Sequence, residues 1–199
     1  MDRADWDARY ASAPELVWTA EPNRFVVAET AELPPGRALD LAAGEGRNAV
    51  WLAGRGWRVT AVDFSAVAVR RGRDLARERG VDVDWQVADV ITYRPEADAF
   101  DLVLVAYLHL PQPDRATVLR QAAAAVRPGG SFVLVGHDLA NLTAGTGGPR
   151  DPALLLTPDA VAAELPGLRV RRADTARRPV RVQDGIVDAL DTVVVAIRS

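Results

Sequence analysis

The chain has 199 residues, 49% of them apolar, and a formal net charge of −3. That is enough for one domain with a substantial core, and it gives no general attraction to nucleic acid or an anionic membrane. Cysteine and lysine are both absent, which excludes thiolate nucleophiles, disulfides, thiolate metal sites, Schiff bases and the phosphate-loop lysine.

The first 35 residues predict one or two helices, including 24–33, and no basic-then-apolar secretory signal opens the chain. No apolar run approaches the roughly 18 residues of a membrane span, so the expected location is the cytoplasm. Val- and Leu-rich runs at 38–43, 58–64, 83–89, 100–107 and 131–138 predict strands, with helices between them at 47–55, 65–79 and 114–127. The fourth and fifth runs are nearly continuous hydrophobe, as expected of parallel strands covered on both faces. In the 114–127 helix, Val118, Leu119, Ala122 and Val126 share a stripe, and Pro128-Gly129-Gly130 is the stop signal. The stretch 141–156 is long, irregular and rich in Gly and Pro, which suits a functional loop. Thr157-Pro158 opens a further helix, and 168–178 and 188–199 predict two final strands with a turn near Gly185. The alternation predicts a single α/β domain, a doubly wound sheet with helices on both faces. Its parts are an N-terminal helical lid at 1–35, a ligand-binding core at 36–138 and an acceptor-side region at 139–199.

In an open sheet of this kind, ligands bind outside the carboxyl ends of the strands. Asp40, Gly44, Gly46, Asp63 and Asp89 fall at or just past the ends of the first three strands. The spacing of Gly44, Gly46 and Ala49 also fits the dinucleotide pattern, so an NAD-type oxidoreductase is one alternative. Three carboxylates disfavour a pyrophosphate, however, and suit a cationic ligand with hydroxyl and amino donors. S-adenosylmethionine has those groups. Asp63 is placed for its ribose, Asp89 and the Val90 N–H for its adenine, and Phe64 to lie against the ring. The helix after the glycines offers its N-terminus to a carboxylate.

The strings "LDLAAGEGRNAVWLA", "VDFS", "VADV", "FDLVLVAYLHL" and "VRPGGSFVLV" resemble the successive motifs of the class I S-adenosylmethionine-dependent methyltransferases. "GEGRNA" and "WDARY" are similar to small-molecule members of the tellurite-resistance and thiopurine type. The resemblance implies a Rossmann-like, seven-stranded, mostly parallel sheet with the last strand antiparallel. It also implies S-adenosyl-L-methionine as cofactor and methyl transfer to a small-molecule acceptor. Carried onto this chain, its cofactor residues are Asp40, Ala42, Gly44, Glu45, Gly46, Asn48, Asp63, Phe64, Ser65, Asp89, Val90 and Ala106. Ala42 stands where the family has glycine, a change the turn tolerates if the backbone there is extended.

Trp18, Arg24, Tyr107, His109 and Asn141 are candidates to line the acceptor pocket, with Asn23 beside Trp18 and Arg24 in an N-terminal lid. His109 and His137 are the candidate bases; each has a plain alternative as a strand-end polar residue. Two histidines without cysteine are a poor metal set, so no metal is expected. The arginines at 169–181 read as a solvated hairpin face or as a site for an anionic acceptor. No nucleic acid, membrane or obligate protein partner is expected. A non-catalytic S-adenosylmethionine-binding module is the second alternative.

Overall fold

The computed structural model describes residues 2–182 and 185–199. Two helices precede the sheet, α1 (Arg3–Ser12) and α2 (Arg24–Thr30). α1 opens on a reciprocal capping box between Asp2 and Asp5. Asn23 caps α2, its Oδ1 accepting from the N–H groups of Phe25 and Val26. α2 stops three residues before the expected end, because Pro34 and Pro35 pull the preceding chain out of helical geometry.

Seven strands follow: β1 (Arg37–Leu41), β2 (Arg58–Asp63), β3 (Asp84–Val87), β4 (Phe100–Ala106), β5 (Val126–His137), β6 (Leu168–Val182) and β7 (Gly185–Arg198). They form one sheet in the order β3-β2-β1-β4-β5-β7-β6. β7 is antiparallel to both neighbours and every other pairing is parallel, as the sequence predicts. The expected turn near Gly185 involves 183–184, which lie outside the described residues. Helices α3 (Arg47–Gly54) and α4 (Ala66–Glu78) follow β1 and β2, and α5 (Gln112–Ala125) follows β4. The short α6 (Asn141–Ala144) and α7 (Pro158–Ala163) lie between β5 and β6. No helix of the described residues is long and apolar enough to cross a membrane.

Alternation along the strands splits the core in two. Leu39, Leu41, Val103, Val105, Phe132 and Leu134 pack under α5 and α7. Ala38, Ala61, Leu102, Leu104, Val133 and Val135 pack under α2 and α3. Asp40 shares the second face by the same alternation. β5 begins five residues earlier than the sequence predicts. Val126 is already extended and pairs with Phe100, and a register shift between Phe100 and Leu102 absorbs the Pro-Gly-Gly segment. Strand order reverses between β1 and β4, so a crevice opens at their carboxyl ends.

The turn that enters this crevice passes through three left-handed residues, Ala42 (φ 59°), Gly44 (φ 57°) and Gly46 (φ 77°). Ala42 is therefore not extended, so the condition under which alanine would be tolerated without strain is not met: the chain must curl at each alternate residue to leave β1 and start α3 within five positions. Its Cβ is strained there, at a cost of about 1–2 kcal/mol. Ala42→Gly relieves this but loosens the unfolded chain, so the folded state should gain up to about 1 kcal/mol in urea denaturation.

Candidate functional site

Three carboxylates stand at the crevice, each in a different environment. Asp63, at the end of β2, accepts from the Gly44 N–H at 2.8 Å and the Ser65 N–H at 2.9 Å. Burial raises its pKa, and those two N–H groups oppose the rise. The first of these bonds pins the glycine turn to the neighbouring strand. Asp89 follows β3, and its Oδ1 accepts from the Ile91 N–H at 2.9 Å, ordering the turn that carries the buried Val90. Asp40 is the anomaly: it is 1% exposed and neither oxygen has a hydrogen-bond partner. Burial, then the nearby Asp63, pushes its pKa up to about 7, against the weaker opposing pull of the Arg47 charge and the Ala49 N–H, neither of which makes a well-formed hydrogen bond to it. A buried carboxyl left without partners is costly, and such groups mark sites built for a ligand. Trp85 of β3 fills the space beside Gly46 and Gly72, where a Cβ on either would strike its ring. The indole thus packs against the glycine turn, a role that strand position alone did not disclose.

The N-terminal segment is clamped over this turn. Tyr10 is buried, and its hydroxyl would lie 3.1 Å from a Cβ placed on Gly44. Ser65 Oγ donates to Asp7 Oδ1 of α1 at 2.5 Å and accepts from the Ala68 N–H at 3.1 Å. Glu45 accepts from Arg71 at 2.8 Å and from the Trp18 N–H at 3.2 Å, while Arg71 also donates to the carbonyls of Ala13 and Glu15. Asn48 Oδ1 accepts from the Asn23 N–H at 2.9 Å. Glu45, Asn48 and Ser65, expected at the cofactor, therefore spend these bonds holding the first 23 residues on the core. Trp18 packs on this side instead, its ring tilted against Trp6 and covered by Arg9. Arg24 is exposed and lies on Phe25, so it does not line the pocket.

Across the crevice, β4, β5 and β7 bring together a second cluster. Tyr107 stands at φ 58°, an unusual conformation for a bulky residue and of the kind found at functional sites. Its hydroxyl donates to Asp191 Oδ2 at 2.8 Å and accepts from Asn23 Nδ2 at 3.1 Å. Asp191, fully buried in β7, also accepts from Arg178 Nε at 2.6 Å. Its Oδ1 lies 3.4 Å from His137 Nδ1, without the alignment of a hydrogen bond. These contacts hold the Asp191 carboxylate below its ordinary pKa despite burial. His109 stacks on His137 at 5.3 Å between ring centroids. The His109 Nε2 faces the His137 backbone N–H at 3.4 Å. Burial and the neighbouring His137 lower the His109 pKa to about 4. His109 is thus neutral, with its free lone pair turned to the backbone, and it is ill placed to take a proton.

Asn141, a candidate either to face the acceptor or to organise the loop, does the second: it is buried, with Nδ2 donating to the Thr146 and Gly147 carbonyls and Oδ1 accepting from the Leu190 N–H at 2.7 Å. It shapes the loop that lays Gly148 directly on the His137 ring. Asp191 and Arg178 escaped sequence reasoning. The only hint of Arg178 was its place in an arginine run, and Asp191 sat unmarked in a predicted strand.

Residues 38–130 match the family model described as "Methyltransferase domain". The sarcosine/dimethylglycine N-methyltransferase of Halorhodospira halochloris is 37% identical over 103 residues, covering 50% of this chain and 37% of that protein. A ubiquinone biosynthesis O-methyltransferase of Xanthomonas campestris pv. campestris is 31% identical over 130 residues, covering 65% and 54%. The chain thus spans about half or less of the length of these curated relatives. Among solved structures, one described as "Conversion of a Disulfide Bond into a Thioacetal Group during Echinomycin Biosynthesis" superposes with a TM-score of 0.79 at 23% identity, covering 99% of this chain and 91% of that one. TehB from Haemophilus influenzae superposes with a TM-score of 0.74 at 14% identity, covering 89% and 63%. These two likenesses concern the fold, and the family match concerns the segment that builds the crevice. Residues 38–130, just under half of the chain, are similar to a methyltransferase domain, and the chain shares the fold of these solved structures.

Proposed function

We propose that this protein transfers a methyl group from S-adenosylmethionine to a small-molecule acceptor in the crevice between β1 and β4. The observation that carries this is Asp40, a buried carboxyl with no protein partner beside a glycine turn. The donor set fits the cofactor. Asp40 would take its ammonium group, Asp63 its ribose hydroxyls, and Asp89 with the Val90 N–H its adenine. Phe64, half-buried beside Asp63, would lie against the adenine, and the Ala106 backbone at the end of β4 borders the amino acid end. The first-turn N–H groups of α3 face the carboxylate. Asp40 and Asp63 together oppose a pyrophosphate, which argues against the dinucleotide alternative.

The bound cofactor supplies an activated methyl on a sulfonium leaving group. The protein's task is then to align the nucleophile and exclude water. The clamped N-terminal segment covers the cofactor side as a lid, and the loop held by Asn141 covers the acceptor side. Tyr107 supplies a rigid wall between them. His137 is the proposed base for acceptors that carry a proton of high pKa. Asp191 faces its Nδ1, which favours the proton there and leaves Nε2 to accept one.

Asp63→Ala should abolish calorimetric binding of S-adenosylhomocysteine or weaken it by about tenfold or more, since it removes acceptors for two ribose hydroxyls. Unchanged affinity would remove the cofactor assignment. His137→Gln should lower kcat for a phenolic acceptor by about 10²–10⁴-fold, with KM for S-adenosylmethionine little changed.

Asp40 gives an opposite sign for stability and function. Its pKa rises from 3.8 to about 7 on folding, so the unfolded chain releases this proton first. The folded state therefore loses stability as pH climbs from about 4 to 7, and bears the full penalty above 7. Asp40→Asn should raise the melting temperature of the free protein at pH 8 while weakening S-adenosylhomocysteine binding. A fall in both would show that Asp40 serves structure alone.

A further inference from the structure

Arg47, the first residue of α3, reaches across the crevice to the face of Tyr107, with its guanidinium carbon 5.6 Å from the ring centroid. Arg178 reaches the same ring at 5.6 Å from the β6–β7 hairpin. The two cations differ in one respect. Arg178 is paired with Asp191. Arg47 is half-buried, and among the described residues it feels Tyr107, Asp40 and Asp191 only at a distance, without a hydrogen bond to any of them. Asp191 makes no hydrogen bond to it; its Oδ2 is held by Tyr107 and Arg178.

The charge balance leaves Arg47 over. His109 is neutral. Asp40 is assigned above to the cofactor's ammonium group, and the first turn of α3 to its carboxylate. A sulfonium beside Tyr107 would add positive charge rather than cancel it. A half-buried guanidinium offers five donors in a planar fork, and a carboxylate is the group that fork fits.

We propose that Arg47, backed by Arg178 across Tyr107, is the seat for a carboxylate-class anionic group of the methyl acceptor. This deepens the acceptor side of the methyltransferase function proposed above and rests on it. The seat lies beside the wall that faces the reacting methyl, so the anion orients the nucleophile as well as binding it. Neutral aromatic or aliphatic acceptors of the same shape leave Arg47 unpaired and bind more weakly.

Calorimetry on the protein saturated with S-adenosylhomocysteine tests this with benzoate and 4-hydroxybenzoate against their neutral amides. The wild-type chain should bind each carboxylate about tenfold more tightly than its amide, the worth of one charge-assisted pair. Arg47→Gln should bring that ratio to about one, and Arg47→Lys, which keeps the charge without the fork, should retain part of it. Thermal melts of both variants confirm folding. Equal affinities in the wild type, or a ratio that survives Arg47→Gln, would overturn the seat. If Arg47→Gln weakens S-adenosylhomocysteine itself while the ratio persists, the anion is the cofactor's own carboxylate and the acceptor assignment falls. Failure of the wild-type chain to bind S-adenosylhomocysteine at all would instead remove the methyltransferase function on which the seat depends.

Discussion

The Asp191 carboxylate is the point on which the β4–β7 side of the crevice turns. It sits in the one antiparallel strand, fully buried, and an ionised carboxyl survives there only if its lone pairs are filled. Tyr107 from β4 and Arg178 from β6 fill them, and His137 from β5 faces the remaining side. Four strands are thereby registered against one charge. Tyr107 is held in a strained backbone conformation as a result, and its hydroxyl passes the constraint to Asn23. Asn23 in turn caps α2 and is gripped by Asn48 of α3. One hydrogen-bonded path therefore runs from the acceptor wall to the N-terminal segment and back to the cofactor turn.

The two halves of the crevice use opposite electrostatics. Around the glycine turn stand Asp40, Asp63 and Asp89, and Asp40 is kept without a hydrogen-bond partner at a cost to the free protein. On the acceptor side, arginines converge on an aromatic face. Such a division suits a ligand whose cationic end lies toward β1 and β2 while an anion approaches from β5 and β7. Strain is placed accordingly. Ala42, Tyr107 and the unpaired Asp40 all lie at the carboxyl ends of β1 and β4, where sheet order reverses.

Local features were legible in the sequence, and long-range ones were not. The strand runs, the glycine turn, Asp40, Asp63 and Asp89 follow from short-range pattern, because a parallel sheet buried on both faces writes itself as continuous hydrophobe. β7 was placed correctly, but nothing in "DALDTVVV" distinguishes Asp191 from an exposed strand-end acid. Its role exists only once β7 lies antiparallel to β5 and brings it opposite His137. Arg178 was hidden by its neighbours: in the same run exposed Arg177 pairs with half-buried Asp188, and half-buried Arg172 with Glu29 and Asp174, and no local pattern marks which arginine reaches the core. Glu45, Asn48 and Ser65 carry a further role that the motif does not announce. They stand in the motif, yet their side chains serve the N-terminal segment that folds over it.

The central claim is that these two clusters flank one S-adenosylmethionine. A crystal structure with S-adenosylhomocysteine bound tests it most directly. The account predicts the ribose on Asp63, the amino group on Asp40 and the sulfur facing Tyr107 and His137. A ligand seated with its adenine toward the histidines, or with Asp40 still unpartnered, would contradict it.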